Sequence, residues 1–148
     1  MSSSLHLSYT IPSSFDHVYS SLLDLKKFGQ LHPYMTSVET LHQKQEGIEY
    51  LVHEQLRLWG FIPMRPIYKA TVIEVEKNKH IRYLSEVKNG LFLTIDFIIE
   101  HPSTQHIQLS EYITLEGIRL IHPLFLSLLK KSHALFFDAL QKEKNTSV

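Results

Sequence analysis

Alternation of hydrophobic and polar residues, the pattern of a β-strand with one buried face, runs through most of this chain. The first alternating segment covers residues 5–11, and Pro12 closes it. Between residues 35 and 117, strands and turns follow one another and no helical spacing competes with them. The strands predicted there are 35–42, 48–59, 67–76, 80–88, 91–100 and 105–116. The pattern therefore predicts about seven strands in all.

Helical spacing predicts two short helices directly after the first strand and one long helix at the C-terminus. Ser13 begins the first helix, with Asp16 three positions later as in a capping box. Asp24 is expected to cap the second helix and Pro33 to end it. Pro123 is expected to lie in the first turn of the last helix, which then continues for about twenty residues. The element order is thus one strand, two helices, six strands and a long helix.

Two turn signals separate the later strands. Asn89-Gly90 indicates a hairpin, because a type I′ turn needs positive φ at both central residues. The segment GFIPMRP, residues 60–66, contains one glycine and two prolines and is expected to end the long strand before it.

Composition and charge narrow the function classes. The 148 residues are 43% hydrophobic, which is enough for one domain with its own core. Fifteen basic residues balance 15 acidic ones without clustering, so we expect no nucleic acid partner. The chain has no cysteine, and its 10 histidines lack metal-ligand spacing, so we expect no metal and no other cofactor. Without a signal-peptide pattern or an apolar stretch of about 18 residues, the chain is expected to be cytoplasmic and not stably inserted in a membrane.

The element order resembles the helix-grip superfamily of START-related, pollen-allergen-like and polyketide cyclase/dehydrase-like proteins. The phrases LSYTIPSSFDHVYSSLLDL and FGQLHPYMTSVE and the terminal helix after IHP carry this resemblance, which covers residues 5–142. It implies an α+β fold in which a curved antiparallel sheet wraps around the long C-terminal helix and leaves a cavity between them. It also implies that residues 1–148 form a single ligand-binding domain.

Two departures indicate which group of the superfamily is nearest. Pollen-allergen-like members carry a multi-glycine loop, whereas QKQEGIEY here contains Gly47 alone. Full START domains are considerably longer than this chain. The compact bacterial cyclase-like or lipid-transport-like group is therefore the nearest match.

Two glutamates interrupt the apolar frames of their strands. Glu111 shares its frame with Ile107, Leu109, Ile113 and Leu115, and Glu54 lies in the corresponding frame of the strand 48–59. An ionised carboxylate in a dry core is costly, so these positions favour a cavity with a polar fixture. The alternatives are a position near a strand end, pairing with a nearby basic side chain, or displacement outward by a β-bulge.

The remaining candidate ligand-binding residues lie in apolar frames. Tyr50 and Tyr83 each carry a hydroxyl at the tip of an apolar ring, and that hydroxyl would either orient a ligand or bind the backbone. Ile113 shares the frame of Glu111, and Phe125, Leu129 and Phe136 would form the opposite wall on the terminal helix. A stripe of this kind is ordinarily core, and only the resembled fold places a cavity beside it.

Histidines and one loop are open to a functional interpretation as well as a structural one. His32, near the expected cavity rim, could carry a proton, but a solvent-exposed position at the end of a helix is the favoured interpretation. Surface positions are favoured for the other histidines too. Trp59, Phe61 and Ile62 place apolar side chains near a turn. There they would cap a pocket, join a dimer, contact a membrane or fold inward.

The sequence favours binding or transport of a small hydrophobic molecule, lipid-like or polyketide-like, over catalysis. The polar end of that molecule would meet Glu111, Glu54 or a tyrosine.

An alternative is a cyclase or dehydratase, that is, a lyase or isomerase without metal. In it, Glu111 or Glu54 would remove a proton beside a carbonyl, and Tyr50 or Tyr83 would donate to the enolate oxygen. A second alternative is a protein-docking or co-chaperone-like domain that uses the apolar loop. A homodimer is compatible with each.

Overall fold

Strands with alternating burial form the frame of the structure, a computed structural model that describes residues 2–58, 60–87, 90–103, 105–117 and 122–146. The described elements are β1 (Ser2–Ile11), α1 (Phe15–Leu23), α2 (Leu25–Leu31), β2 (Met35–Gln43), β3 (Ile48–Glu54), β4 (Leu56–Leu58), β5 (Ile62–Met64), β6 (Ile67–Glu76), β7 (His80–Val87), β8 (Leu91–Glu100), β9 (Ile107–Glu116) and α3 (His122–Thr146).

Seven strands form one antiparallel sheet in the order β1-β9-β8-β7-β6-β3-β2. In β8 and β9 every second side chain is buried, as the period of two requires. Register shifts between β2 and β3 and between β6 and β7 mark bulges, which bend a sheet locally. The α+β class, with a seven-stranded antiparallel sheet, two short helices after the first strand and a long final helix, is confirmed.

The prediction of one continuous strand over residues 48–59 is wrong in its second half. β3 ends at Glu54, and a separate strand, β4, begins after Gln55. β3 pairs with β6 only as far as the partners His53 and Ile67. Pro66, which directly precedes Ile67, has no N–H group with which to continue the hydrogen bonds between the two strands. The Gln55 N–H donates instead to the Tyr34 carbonyl oxygen at 2.8 Å. β4 then pairs with β5, so the segment 60–66 closes a small separate hairpin.

Other strand ends differ by up to three residues from the prediction. β1 begins at Ser2 rather than at residue 5. β2 extends to Gln43, and β9 begins at Ile107 rather than at residue 105. The Asn89-Gly90 turn lies partly outside the described residues, but Gly90 has a φ of +75°, as the predicted turn type needs.

The C-terminal helix α3 buries one face against the inner side of the sheet and the short helices. Phe136 and Leu140 are fully buried. Phe136 stacks on Phe28 of α2 with ring centroids 4.1 Å apart, and Phe137 meets Tyr9 of β1 at 4.5 Å. These contacts attach both the N-terminal strand and α2 to the last helix. None of the described helices is long and apolar enough to cross a membrane.

The two short helices begin with side-chain caps, although the first cap is one residue later than predicted. Ser14, not Ser13, is the N-cap of α1, and its hydroxyl accepts from the His17 N–H at 3.3 Å. Asp24 caps α2 by accepting from the Lys26 N–H at 3.0 Å, as predicted. His32 then has extended backbone before Pro33, which ends α2 as predicted.

Adjacent serines give a matched test of the cap. We expect Ser14→Ala to lower the free energy of unfolding by about 1 kcal/mol, because the His17 N–H loses its acceptor. Ser13→Ala should be neutral or stabilising, since the buried Ser13 hydroxyl has no hydrogen-bond partner among the described residues. Urea unfolding measures both, and a larger loss for Ser13→Ala would contradict the assignment.

Candidate functional site

A cavity of about 100 Å³ lies between the sheet, α2 and the first half of α3. Its wall is mainly apolar and includes Leu25, Phe28, Leu93, Ile95, Phe125 and Leu129. One water needs only about 10–15 Å³ of such space, so the cavity has room for several waters or for part of a small organic molecule.

Four polar side chains from different elements cluster on the cavity wall. His32 follows α2, Glu54 ends β3, Tyr68 lies near the start of β6, and His133 lies in the middle of α3. The imidazole rings of His32 and His133 have centroids 6.1 Å apart. Glu54 and Tyr68 are joined by a hydrogen bond, with the tyrosine hydroxyl donating to the Glu54 Oε2 atom.

Glu111 points into the core because His133 meets it there. Glu111 is fully buried on β9, and its neighbours on the flanking strands are Leu7 and Phe97, which cannot pair with a carboxylate. The Glu111 Oε2 atom contacts the Nδ1 atom of His133, so one proton joins the two groups. The Glu111 Oε1 atom has no hydrogen-bond partner among the described residues. The pair thus connects the middle of β9 to the middle of α3.

The pairing fixes which ring nitrogen of His133 is available to the cavity. Nδ1 is committed to Glu111, whereas Nε2 has no hydrogen bond to a described residue and is not among the fully enclosed polar atoms. Since His133 lines the cavity, Nε2 is the ring nitrogen left for a molecule bound there. A carboxylate that holds one nitrogen of a histidine and so orients the other is a recurrent arrangement in binding and catalytic sites.

His32 is buried, at 8% exposed, so the expectation of a solvent-exposed residue at a helix end was wrong. Burial, followed by the nearby His133, lowers its pKa to about 3. The Tyr34 N–H donates to the Nδ1 atom of His32 at 3.1 Å. His32 is therefore neutral near pH 7 and carries its proton on Nε2.

Glu54 has a less favourable environment for its charge than an exposed carboxylate. Burial raises its pKa, while the Tyr68 hydrogen bond and the nearby His133 act in the opposite direction. Burial, followed by the charge and hydrogen bond of Glu54, raises the pKa of Tyr68 well above its usual range. Tyr68 therefore stays a neutral donor to Glu54.

The structure divides the eight sequence-predicted ligand-binding residues into two groups. Glu54, Tyr83, Phe125 and Leu129 line the cavity. The residues that do not line it are Tyr50, Glu111, Ile113 and Phe136, all of which are buried. Glu111 acts on the cavity only through His133.

The two candidate tyrosines are not free to meet a ligand with their hydroxyls. The Tyr83 ring forms part of the cavity wall, but its hydroxyl donates to the Leu22 carbonyl oxygen of α1. Burial and then the Asp24 carboxylate raise the pKa of Tyr50, whose hydroxyl lies by the start of α2. Tyr68, which sequence reasoning did not select, is the tyrosine that joins the polar cluster.

Sequence reasoning also missed His133, and it expected surface positions for the histidines in general. His32, His122 and His133 are all buried. The signal for His133 was its spacing, four residues after Leu129 and three before Phe136, on the apolar face of α3. For Tyr68 the signal was its strand frame, which it shares with the buried residues Ala70 and Val72.

The apolar loop contributes an exposed side chain beside the cavity. Phe61 is 71% exposed at the tip of the β4–β5 hairpin, and Ile62 is half-buried. Trp59 lies outside the described residues. Leu56 and Pro66, at the base of this hairpin, line the cavity. Within the described part of the chain, no cluster of three or more histidine or carboxylate side chains is arranged to hold a metal ion.

A double-mutant cycle tests the buried pair. We expect Glu111→Leu and His133→Leu each to lower the free energy of unfolding by about 3–5 kcal/mol, because each leaves a buried polar partner unpaired. The double variant should recover most of that loss, since neither group then needs a partner.

The control for this cycle is an exposed ion pair on the same helix. The Nζ atom of Lys142 and the Oδ2 atom of Asp138 lie 3.1 Å apart on the surface of α3. Asp138→Ala should cost well under 1 kcal/mol. Additive losses at Glu111 and His133 in urea unfolding would show that the two side chains are not coupled.

Comparisons with known proteins place this architecture among solved structures. No family model and no curated protein sequence matches the chain. A START superfamily protein from Mycobacterium smegmatis is similar with a TM-score of 0.71 and 13% identity, over 95% of each chain. The Zhui aromatase/cyclase from a Streptomyces species gives a TM-score of 0.76 at 11% identity, over 97% of this chain and 93% of that one. Ara h 8.0201 gives a TM-score of 0.69 at 13% identity, over 97% of both.

At these identities the likeness shows the fold. The matched proteins include START-related and aromatase/cyclase structures, as the sequence resemblance implied, and the match extends over nearly the whole of each chain. The chain therefore has the same fold as these proteins, the helix-grip fold.

Proposed function

We propose that this protein binds a small, mostly apolar molecule in the cavity between the sheet and α3. The observation that carries the proposal is the coincidence of an apolar wall with a polar cluster that includes His32, Glu54 and His133. The apolar wall would hold the body of the molecule, and the cluster would bind its polar end.

The energetics favour a binding site over an imperfect core. A void of this size costs on the order of 2 kcal/mol relative to packed side chains. Burying Glu111, His32 and His133, and partly burying Glu54, in a largely apolar interior adds a further cost. A chain that needed only a stable core would place aliphatic residues at these positions. A bound molecule supplies a reason for both the space and the polar groups.

Two of the similar solved structures support the proposal through their shared fold. One of them is an aromatase/cyclase and another belongs to the START superfamily. A lipid-like or polyketide-like molecule would fit the apolar wall of this cavity as well. The chemical class of the ligand's polar end has to be inferred from the residues of this chain that line the cavity.

Filling the cavity should abolish binding without disturbing the surface. The neutral fluorescent probe N-phenylnaphthylamine is expected to bind the wild type. Leu129→Trp from the helix and Ala70→Leu from the sheet should each weaken its binding at least about tenfold, or roughly 1.4 kcal/mol. Both residues line the cavity.

The matched control is Leu135→Trp, on the same helix but 44% exposed. It should leave probe affinity unchanged. Melting temperatures of all variants show which of them are folded. Equal binding by the wild type and both cavity-filling variants would contradict the proposed site.

A second candidate function is proton transfer on the bound molecule, which the Glu111–His133 contact favours specifically. Glu111 would hold Nδ1 so that Nε2 acts as the general base beside a carbonyl group. In the sequence interpretation a glutamate itself was the base. Here His133 lies between Glu111 and the cavity and would take that role.

Hydrogen exchange in deuterated water separates this candidate from binding alone. If the protein is a catalyst, it should accelerate exchange at the carbons beside the carbonyl of a simple probe, methyl hexyl ketone. His133→Gln should then abolish the acceleration while retaining N-phenylnaphthylamine binding. Exchange at the buffer rate in the presence of the wild type would argue against proton transfer on such ketones.

A further inference from the structure

The charges around the cavity restrict the kind of polar group that it can bind. The described lining residues include one carboxylate, Glu54, and two histidines, but no lysine or arginine. A second carboxylate, Glu111, lies directly behind His133. An entering anion would therefore approach two carboxylates and would meet no permanent positive charge among the described residues.

Neither histidine supplies a free positive charge. His32 is buried and neutral near pH 7, because burial and His133 hold its pKa at about 3. Any positive charge on His133 lies against the Glu111 carboxylate, which contacts its Nδ1 atom. The pair then carries no net positive charge for an anion to meet.

The hydrogen-bonding groups of the cluster are complementary to a hydroxyl. Nδ1 of His32 accepts from the Tyr34 N–H, so the neutral ring keeps its proton on Nε2 and can donate. Glu54 uses Oε2 to accept from Tyr68, and its Oε1 atom receives no hydrogen bond from a described residue. A donor on His32 and an acceptor on Glu54 thus both line the cavity. A hydroxyl group is the polar group that can accept from the one and donate to the other.

We propose that the molecule bound in this cavity ends in an uncharged hydroxyl group, an alcohol or a phenol, and not in a carboxylate or a phosphate. This inference rests on the proposed function, because it specifies the polar end of the bound molecule. The apolar wall binds the hydrocarbon part of the ligand, and Glu54 and His32 select its polar head group.

Three ligands with the same octyl chain test the head group. Octanol, octanoate and octylammonium differ in charge but little in size, and near pH 7 the last two are ionised. Each is titrated against bound N-phenylnaphthylamine. We expect octanol to displace the probe at a concentration at least about tenfold lower than octanoate.

Glu54→Gln shows whether the selectivity comes from this carboxylate. The variant should bind octanol more weakly, because one hydrogen-bond acceptor is removed. The ratio of the displacing concentrations of octanoate and octanol should also narrow, because one negative charge is removed. Glu39→Gln, an exposed position on β2, is the matched control and should leave the ratio unchanged. An unchanged ratio in a folded Glu54→Gln variant would overturn the role of Glu54.

The outcomes separate this inference from the proposed function. Probe binding with tighter displacement by octanoate or octylammonium than by octanol overturns the head-group assignment and leaves the binding function standing. Probe binding that none of the three displaces overturns it as well. If the wild type binds neither the probe nor octanol, the proposed function itself fails.

Discussion

The contact between Glu111 and His133 is the interaction on which the arrangement of this site depends. It joins the middle of β9 to the middle of the long helix inside an interior that is largely apolar. A shift of β9 by one residue would turn Glu111 outward and leave His133 without a partner. The cost of separating the two buried groups therefore favours one strand register and one helix position. The same contact leaves the second nitrogen of His133 for a molecule bound in the cavity.

Much of the fold could be predicted because it follows from periodicity. The period of two identified every strand of the large sheet, and Pro33 and Asp24 marked the ends of α2 correctly. The same period placed Glu111 among buried residues, where the structure has it. The break at Gln55 was missed, since it depends on Pro66 lying opposite, which is a fact about pairing rather than about local sequence.

The polar cluster was harder to predict than the fold. His133 lies 22 residues after Glu111, and nothing in either local pattern indicates that a strand and a helix bring them together. Tyr68 and Glu54 lie on two neighbouring strands, β6 and β3, and form a hydrogen bond. Sequence reasoning considered each tyrosine and each glutamate separately. The hydroxyls of Tyr50 and Tyr83 point toward the short helices, which a strand frame does not show. Sequence alone thus found the unusual carboxylates but not their partners.

The central claim is that Glu111 holds Nδ1 of His133 and that Nε2 faces the bound molecule. Proton–nitrogen correlation NMR of the histidine rings, with and without octanol, tests it most directly, and His133→Gln assigns the resonances. We expect Nδ1 of His133 to stay protonated throughout and the Nε2 resonance to shift when octanol is added. An unprotonated Nδ1, or octanol-dependent shifts confined to the exposed histidines, would contradict it.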